Sequence, residues 1–100
     1  SHRIHCADGR VIFPVPREAS FNQHPKVNRS ALVEVANQPV LVVEGEKSQQ
    51  TTNELMEIAQ ANPDTKRILH VLYHPSFPVD LRHNAKIHRL QLGVWASKQL

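Results

Sequence analysis

Several cationic and imidazole side chains cluster near the end of the chain, beside one amide. The stretch 78–89 contains Arg82, His83, Asn84, Lys86 and Arg89. A lysine in such a loop is a mobile point charge that can reach a phosphate or a carboxylate on another surface. A basic loop that is merely solvated would contain the same residue types, and by composition alone it is the more frequent case.

The seven histidines offer no recognised metal-ligand spacing. His70 and His74 are four positions apart, as in a helical metal pair, but they fall in or at the end of a predicted strand. There, four residues separate two side chains by about 13 Å, so one ion cannot bind both. The remaining histidines have no cysteine or carboxylate partner at a ligand spacing, and no metal site is expected.

The glycines and the single cysteine also lack the patterns of a complete active site. Gly9, Gly45 and Gly93 are isolated, so neither a phosphate loop nor a dinucleotide-binding motif can be written with them. No G-x-S-x-G nucleophile motif occurs, and Cys6 has no obvious base to orient it. We therefore expect no independent ATP site and no self-contained hydrolase site in this chain.

Length and composition predict a single globular domain over residues 1–100. A chain this short buries about two thirds of its unfolded surface and cannot support two cores. The longest aliphatic run, at 40–43, is far below the roughly 20 residues of a membrane-spanning helix, and no signal sequence is evident. A lone cysteine fits a reducing compartment, so the cytoplasm is expected. The net charge of +3 is too scattered, and the aromatics too few, to favour nucleic-acid binding.

Turn residues and hydrophobic periodicity predict the elements that position the basic cluster. Asp8-Gly9 joins two short extended segments, which gives a two-stranded ribbon within 1–13. An α+β body over 14–100 follows, with helices packed on a mainly three-stranded sheet. Its predicted elements are a helix at 16–23, strands at 31–35 and 40–44 joined by a polar loop at 36–39, a helix from Thr51 or Thr52 to 61, a strand at 68–73 and a helix at 88–99.

Two local predictions accompany these elements. The stretch 44–50 is expected to be a loop from its composition. The last helix is expected to bury Leu90, Val94 and Trp95 on one stripe, and the basic segment ahead of it is expected to be irregular.

Three blocks of the sequence, in the right order, resemble the C-terminal domain of the acyl-adenylate-forming (AMP-binding) superfamily. The first is 14–25 with Val27 and the strand residues that follow, similar to a family stretch in which a proline starts a helix that ends at His-Pro-x-Val. The second is 39–43, similar to the next strand. The third, 84–89, is similar to the closing pattern x-Gly-Lys-[Ile/Val]-x-Arg, although Ala85 replaces the glycine.

The resemblance implies a role for each basic residue. Lys86 aligns with the catalytic lysine of the family, while Arg82, His83, Asn84 and Arg89 would support a substrate or phosphate loop. The family's Gly-Arg-x-x-Asp hinge would lie at the start of the chain, with His2 or Arg3 in place of the usual hinge residue. ATP and Mg²⁺ would then serve the full-length enzyme, and neither is expected to bind this chain alone.

In its detail, the segment 77–86 together with 21–25 is most similar to the β-lactone synthetase, or fatty acid ligase-like, branch of long-chain olefin biosynthesis. This implies an AMP-forming acyl ligase that acts on a fatty acid or a long-chain β-hydroxy acid. The implied partner is an N-terminal adenylation domain of the same polypeptide, and the isolated chain is expected to be inactive. An alternative is a stand-alone basic module that binds an acidic partner or RNA.

Overall fold

The computed structural model describes residues 2–81 and 86–100, which form an α+β structure as predicted. Three helices accompany a three-stranded sheet and two small two-stranded sheets. The elements are β1 (Ile4–His5), β2 (Val11–Ile12), α1 (Pro14–Asn22), β3 (Arg29–Val35), β4 (Gln38–Glu44), α2 (Gln49–Ala59), β5 (Val71–His74), β6 (Val79–Asp80), β7 (Lys86–Ile87) and α3 (Arg89–Ser97).

The predicted N-terminal ribbon is confirmed. Strands β1 and β2 pair antiparallel, with Ile4 opposite Ile12, and both isoleucines are fully buried. Gly9 has a φ of 91°, a backbone conformation that glycine adopts without the steric cost that a Cβ imposes. The Asp8-Gly9 dipeptide therefore forms the predicted turn, because Gly9 accepts the positive φ that the turn requires.

The main sheet has the strand order β3-β4-β5. Strands β3 and β4 pair antiparallel, and β5 adds in parallel to β4 after the crossover through α2. The polar loop expected at 36–39 is only two residues long, because Ala36 and Asn37 both have positive φ angles, of 50° and 60°. Such a turn matches the twist of a hairpin, so Gln38 and Pro39 already belong to β4.

Several helix and strand boundaries differ from the prediction. Helix α1 begins at Pro14 rather than two residues later, since proline at the first helical position loses no hydrogen bond. Helix α2 begins at Gln49 and is capped by the Ser48 hydroxyl, which accepts from the Thr51 N–H at 3.2 Å. The loop predicted at 44–50 is therefore too long, because Glu44 belongs to β4 and both Gln49 and Gln50 belong to α2. Strand β5 begins only at Val71.

The sheet separates two apolar clusters, because side chains alternate between its faces along each strand. One face carries Leu32, Leu41 and Val43, which pack with the ribbon, α1 and α2. The other face packs against Phe77 and α3. None of the helices in 2–81 and 86–100 is both long and apolar enough to cross a bilayer.

The buried face of α3 corrects the predicted stripe. Leu92 and Ala96 are fully buried, whereas Leu90 is 72% and Val94 58% exposed. Both pairs have the four-residue spacing of a helix face, so periodicity alone could not choose between them. The choice depends on which side of α3 meets the sheet, and Leu92 and Ala96 lie in the apolar cluster formed with β3 and β4.

Candidate functional site

Lys86 lies in a short two-stranded ribbon that follows β5 and precedes α3 in the chain. We call the segment that carries it the lysine arm; its described residues are 77–81 and 86–89. Strands β6 and β7 pair antiparallel, with Asp80 opposite Lys86. The His88 N–H donates to the Pro78 carbonyl at 2.8 Å and closes the base of the ribbon. The irregular segment that we predicted here is therefore ordered into strands on either side of 82–85.

The Lys86 side chain is exposed on this arm. Its strand neighbour Ile87 is partly buried and packs against the cluster that contains Phe77 and Leu92. Because successive side chains on a strand point to opposite faces, packing of Ile87 turns Lys86 away from the core. Within 2–81 and 86–100, no hydrogen bond or ion pair engages its ammonium group. Lys86 therefore presents a positive charge to its surroundings.

Arg89, the other cation of the closing pattern, has the opposite environment. It is the first residue of α3, and its guanidinium forms a two-point ion pair with the Glu18 carboxylate. Nη2 lies 2.7 Å from Oε1, and Nη1 contacts Oε2. The side chains of Arg89 and Glu18 are only 13% and 6% exposed. This cation is thus bound within the domain, whereas the Lys86 side chain is exposed.

Glu18 connects three elements through one carboxylate. It lies on α1, accepts the Leu32 N–H of β3 at 2.7 Å, and binds Arg89 at the start of α3. Because β3 is an edge strand, the Leu32 N–H has no strand partner on that side, and the carboxylate satisfies it. We did not single out Glu18 in the sequence, where an isolated glutamate in a helix carries no signal.

A second buried carboxylate, Glu44, holds the other end of the lysine arm. Glu44 is the last residue of β4, and its Oε2 accepts the Phe77 N–H at 2.6 Å. Arg29 forms a two-point ion pair with the same group, at 3.0 and 2.9 Å. The hydrogen bond from Arg29 lowers the pKa of Glu44, with help from the Phe77 N–H, although burial opposes this. This residue too was absent from the sequence-based candidates.

The two predicted hinge residues lie beside α3. His2 and Arg3 line a cleft with Glu34, Arg89 and Leu90. Burial, followed by the nearby Arg89 charge, lowers the pKa of His2 below its ordinary value of 6.5, which favours the neutral imidazole. The hinge role of these two residues stays a prediction.

Three predicted loop-support residues, Arg82, His83 and Asn84, lie outside the described residues. In the described ranges, no group of three or more His, Cys, Asp or Glu side chains could hold a metal ion. His74, one of the paired histidines, instead packs edge-on against Trp95, with ring centroids 4.6 Å apart.

Part of the positive charge that could serve an acidic partner is already paired. The ion pairs in the described ranges engage five guanidinium groups, namely those of Arg10, Arg17, Arg29, Arg67 and Arg89. A continuous basic stripe, which phosphate-backbone binding requires, is not built from these side chains. The stand-alone RNA-binding alternative therefore gains no support from them.

Comparison with known proteins identifies relatives over the whole chain. No protein-family model matches it. It is 39% identical to an olefin β-lactone synthetase of Xanthomonas campestris pv. campestris over 99% of its length, and 44% identical over its full length to an olefin β-lactone synthetase of Stenotrophomonas maltophilia. The chain spans about a fifth of each relative, since each match covers 19% of the longer protein.

Solved structures share the fold. The crystal structure of Brucella canis acyl-CoA synthetase superposes with a TM-score of 0.75 over 97% of this chain and 20% of that protein, at 20% sequence identity. At that identity, the likeness concerns the fold. Together with the two relatives, it agrees with the resemblance found in the three sequence blocks.

Proposed function

The chain belongs to the adenylate-forming ligase superfamily, as the type of domain that stands at the C-terminal end of those enzymes, and on that premise we propose that it is the movable small domain of an ATP-dependent, acid-activating ligase. Lys86 would be its catalytic residue. The observation that carries this proposal is the contrast within the closing pattern, where Lys86 is exposed and Arg89 is bound inside the domain.

Adenylate formation needs positive charge near the substrate carboxylate and the α-phosphate, where the ammonium group of Lys86 would lie. The substrate carboxylate attacks the α-phosphate of ATP, the bond to pyrophosphate breaks, and pyrophosphate leaves. Both reactants are anionic, and charge shifts to the departing oxygen in the transition state. A lysine ammonium placed between the carboxylate and the α-phosphate would offset that charge. Its contribution would be electrostatic and positional, with no proton transferred.

The rest of the nucleotide site would belong to a large N-terminal domain of the same polypeptide. This chain has three isolated glycines, which cannot form a phosphate loop. Its described residues offer no cluster of three metal-binding side chains. We therefore propose that Mg²⁺ is held by the ATP phosphates and by residues of the large domain, as is common for this ion. The isolated chain would then lack activity.

A separate domain allows the same polypeptide to present different faces in successive steps. In the adenylation step the lysine arm would close over the large domain, and afterwards the small domain would swing about a hinge near His2 and Arg3. The ribbon formed by β1 and β2 would present the second face. It is tied to the body by ion pairs, including Asp8 with Arg67 at 2.8 Å, so it would move with the domain.

The relatives suggest the second step. Because both are olefin β-lactone synthetases, we propose a long-chain β-hydroxy acid as the substrate. The β-hydroxyl oxygen would attack the activated acyl carbon and the bond to AMP would break. The products would be the β-lactone, AMP and the proton lost from the hydroxyl group. No thiol acceptor is needed. Mass spectrometry of products from ATP, coenzyme A and a β-hydroxy acid tests this, since an acyl-CoA product would contradict it.

Replacement of Lys86 by alanine in the full-length ligase tests the central proposal. Loss of one charge aimed at the transition state is expected to slow ATP–pyrophosphate exchange by about 100- to 1000-fold, while ATP binding changes little. Lys98→Ala is the matched control, since it removes an exposed lysine from the end of α3 and should leave exchange near normal. Near-normal exchange in Lys86→Ala would reject the role of this lysine.

A further inference from the structure

We propose that Glu18 and Glu44 are positioning residues for Lys86, because each of these buried carboxylates holds one end of the lysine arm against the body of the domain. The inference rests on the proposed function, in which Lys86 acts on a substrate outside this chain. It extends that function by assigning two residues that never touch the substrate but set where the ammonium group lies.

The first attachment is at Phe77, where the arm leaves the core. The Phe77 side chain is 4% exposed and lies in the cluster with Leu92 and Ala96, so the ring is fixed by packing. Its backbone is fixed by Glu44, which accepts the Phe77 N–H at 2.6 Å. Arg29 orients that carboxylate by two hydrogen bonds and lies over the Phe77 ring, 5.6 Å from its centroid.

The second attachment is at Arg89, where the arm enters α3. Glu18 binds both terminal nitrogens of this guanidinium, and two parallel hydrogen bonds fix orientation as well as distance. Glu18 is itself fixed by the Leu32 N–H of the sheet. The start of α3 is therefore held relative to β3, and Lys86 lies only three residues before it.

The arm needs these attachments because its own ribbon is small. Strands β6 and β7 contain two residues each, and an isolated two-stranded hairpin is marginally stable at best. The His88-to-Pro78 hydrogen bond closes the base but does not tie the ribbon to the sheet. Ile87 packs against the core, and the two carboxylates add a polar connection at each end of the arm, one from the end of β4 and one from α1.

The test compares two substitutions of Glu44 in the full-length ligase by ATP–pyrophosphate exchange. Methionine has a similar volume but cannot accept the Phe77 N–H, whereas glutamine keeps one acceptor oxygen. We expect Glu44→Met to slow exchange by about 100-fold with the KM for ATP unchanged, since displacement of a catalytic group by about 1 Å can cost that factor. Glu44→Gln should recover part of the rate.

A second variant keeps the test decisive if Glu44→Met does not fold. The paired substitution Glu18→Gln with Arg89→Met removes both charges together, so that no unpaired charge stays buried. It should fold, yet it severs the connection to the arm, and exchange should again slow. The control is Glu54→Gln, which alters a hydrogen bond with His24 that lies away from the arm. Its exchange rate should stay near that of the wild type.

The decisive readout is non-additivity with Lys86. In a Lys86→Ala background, Glu44→Met should cause no further loss, because the group it positions is absent. A merely structural role would slow exchange by the same factor in both backgrounds, and that result would overturn the inference. Normal exchange in both arm variants would overturn it as well. Near-normal exchange in Lys86→Ala alone would instead reject the proposed function, so the two failures can be told apart.

Discussion

Replacement of Arg89 by methionine should destabilise the domain strongly, because it leaves the Glu18 carboxylate buried without its cation. The two side chains are 13% and 6% exposed, so water cannot easily take the place of the guanidinium. Removal of one partner from a buried ion pair costs about 3–5 kcal/mol. We expect a value near the lower end of that range, since Glu18 keeps its hydrogen bond from the Leu32 N–H.

This loss is large relative to the stability of such a domain, which is about 5–15 kcal/mol in total. For a chain of 100 residues, each kcal/mol shifts the Tm by about 4–8 °C, so Arg89→Met should melt roughly 12–24 °C below the wild type. The assay is urea and thermal unfolding of the 100-residue chain at pH 7, followed by circular dichroism.

The paired variant Glu18→Gln with Arg89→Met separates this explanation from a simple loss of packing. The glutamine still accepts the Leu32 N–H, and no charge stays buried, so the free energy of unfolding should return to within about 1 kcal/mol of the wild type. Two results would refute the reasoning. One is a loss below about 1 kcal/mol in Arg89→Met, and the other is an equal loss in the single and paired variants.

Two further predictions concern acid stability and the face of α3. Because Arg29 lowers the pKa of Glu44 below its ordinary value of 4.5, the stability that this carboxylate contributes is complete above pH 4.5 and is lost as the pH falls through its folded value. Urea midpoints should therefore decline more steeply below pH 4.5 in the wild type than in Glu44→Gln. On α3, Leu92→Ala should cost about 2–5 kcal/mol and Leu90→Ala less than about 0.5, as measured by urea unfolding.

The elements that could be predicted from the sequence are those whose cause is local. Asp8-Gly9 permits a tight turn, and the β-branched segments at 31–35 and 40–43 favour strands regardless of what packs on them. The closing block at 84–89 is equally local, and its resemblance to the closing pattern of the family made Lys86 the candidate catalytic residue. In each case, the residues that define the feature are adjacent in the chain.

The features that could not be predicted depend on residues far apart in sequence. Glu18 and Arg89 are 71 positions apart, and Glu44 and Phe77 are 33 apart. No spacing rule links such pairs, since their meeting is a result of the whole fold. The buried face of α3 was missed for a similar reason, because Leu90 and Leu92 are equally apolar and only the contact of α3 with the sheet distinguishes them.

The spacing between Lys86 and Arg89 explains why two cations of one short motif have opposite environments. On β7, alternation points Lys86 outward and Ile87 inward. His88 then ends the strand and caps α3, its Nδ1 accepting the Gln91 N–H at 3.3 Å. The change from strand to helix brings the next side chain back toward the body, where Arg89 meets Glu18. Lys86 is therefore exposed. Arg89, three residues later, binds Glu18 and attaches the end of the lysine arm to the body of the domain.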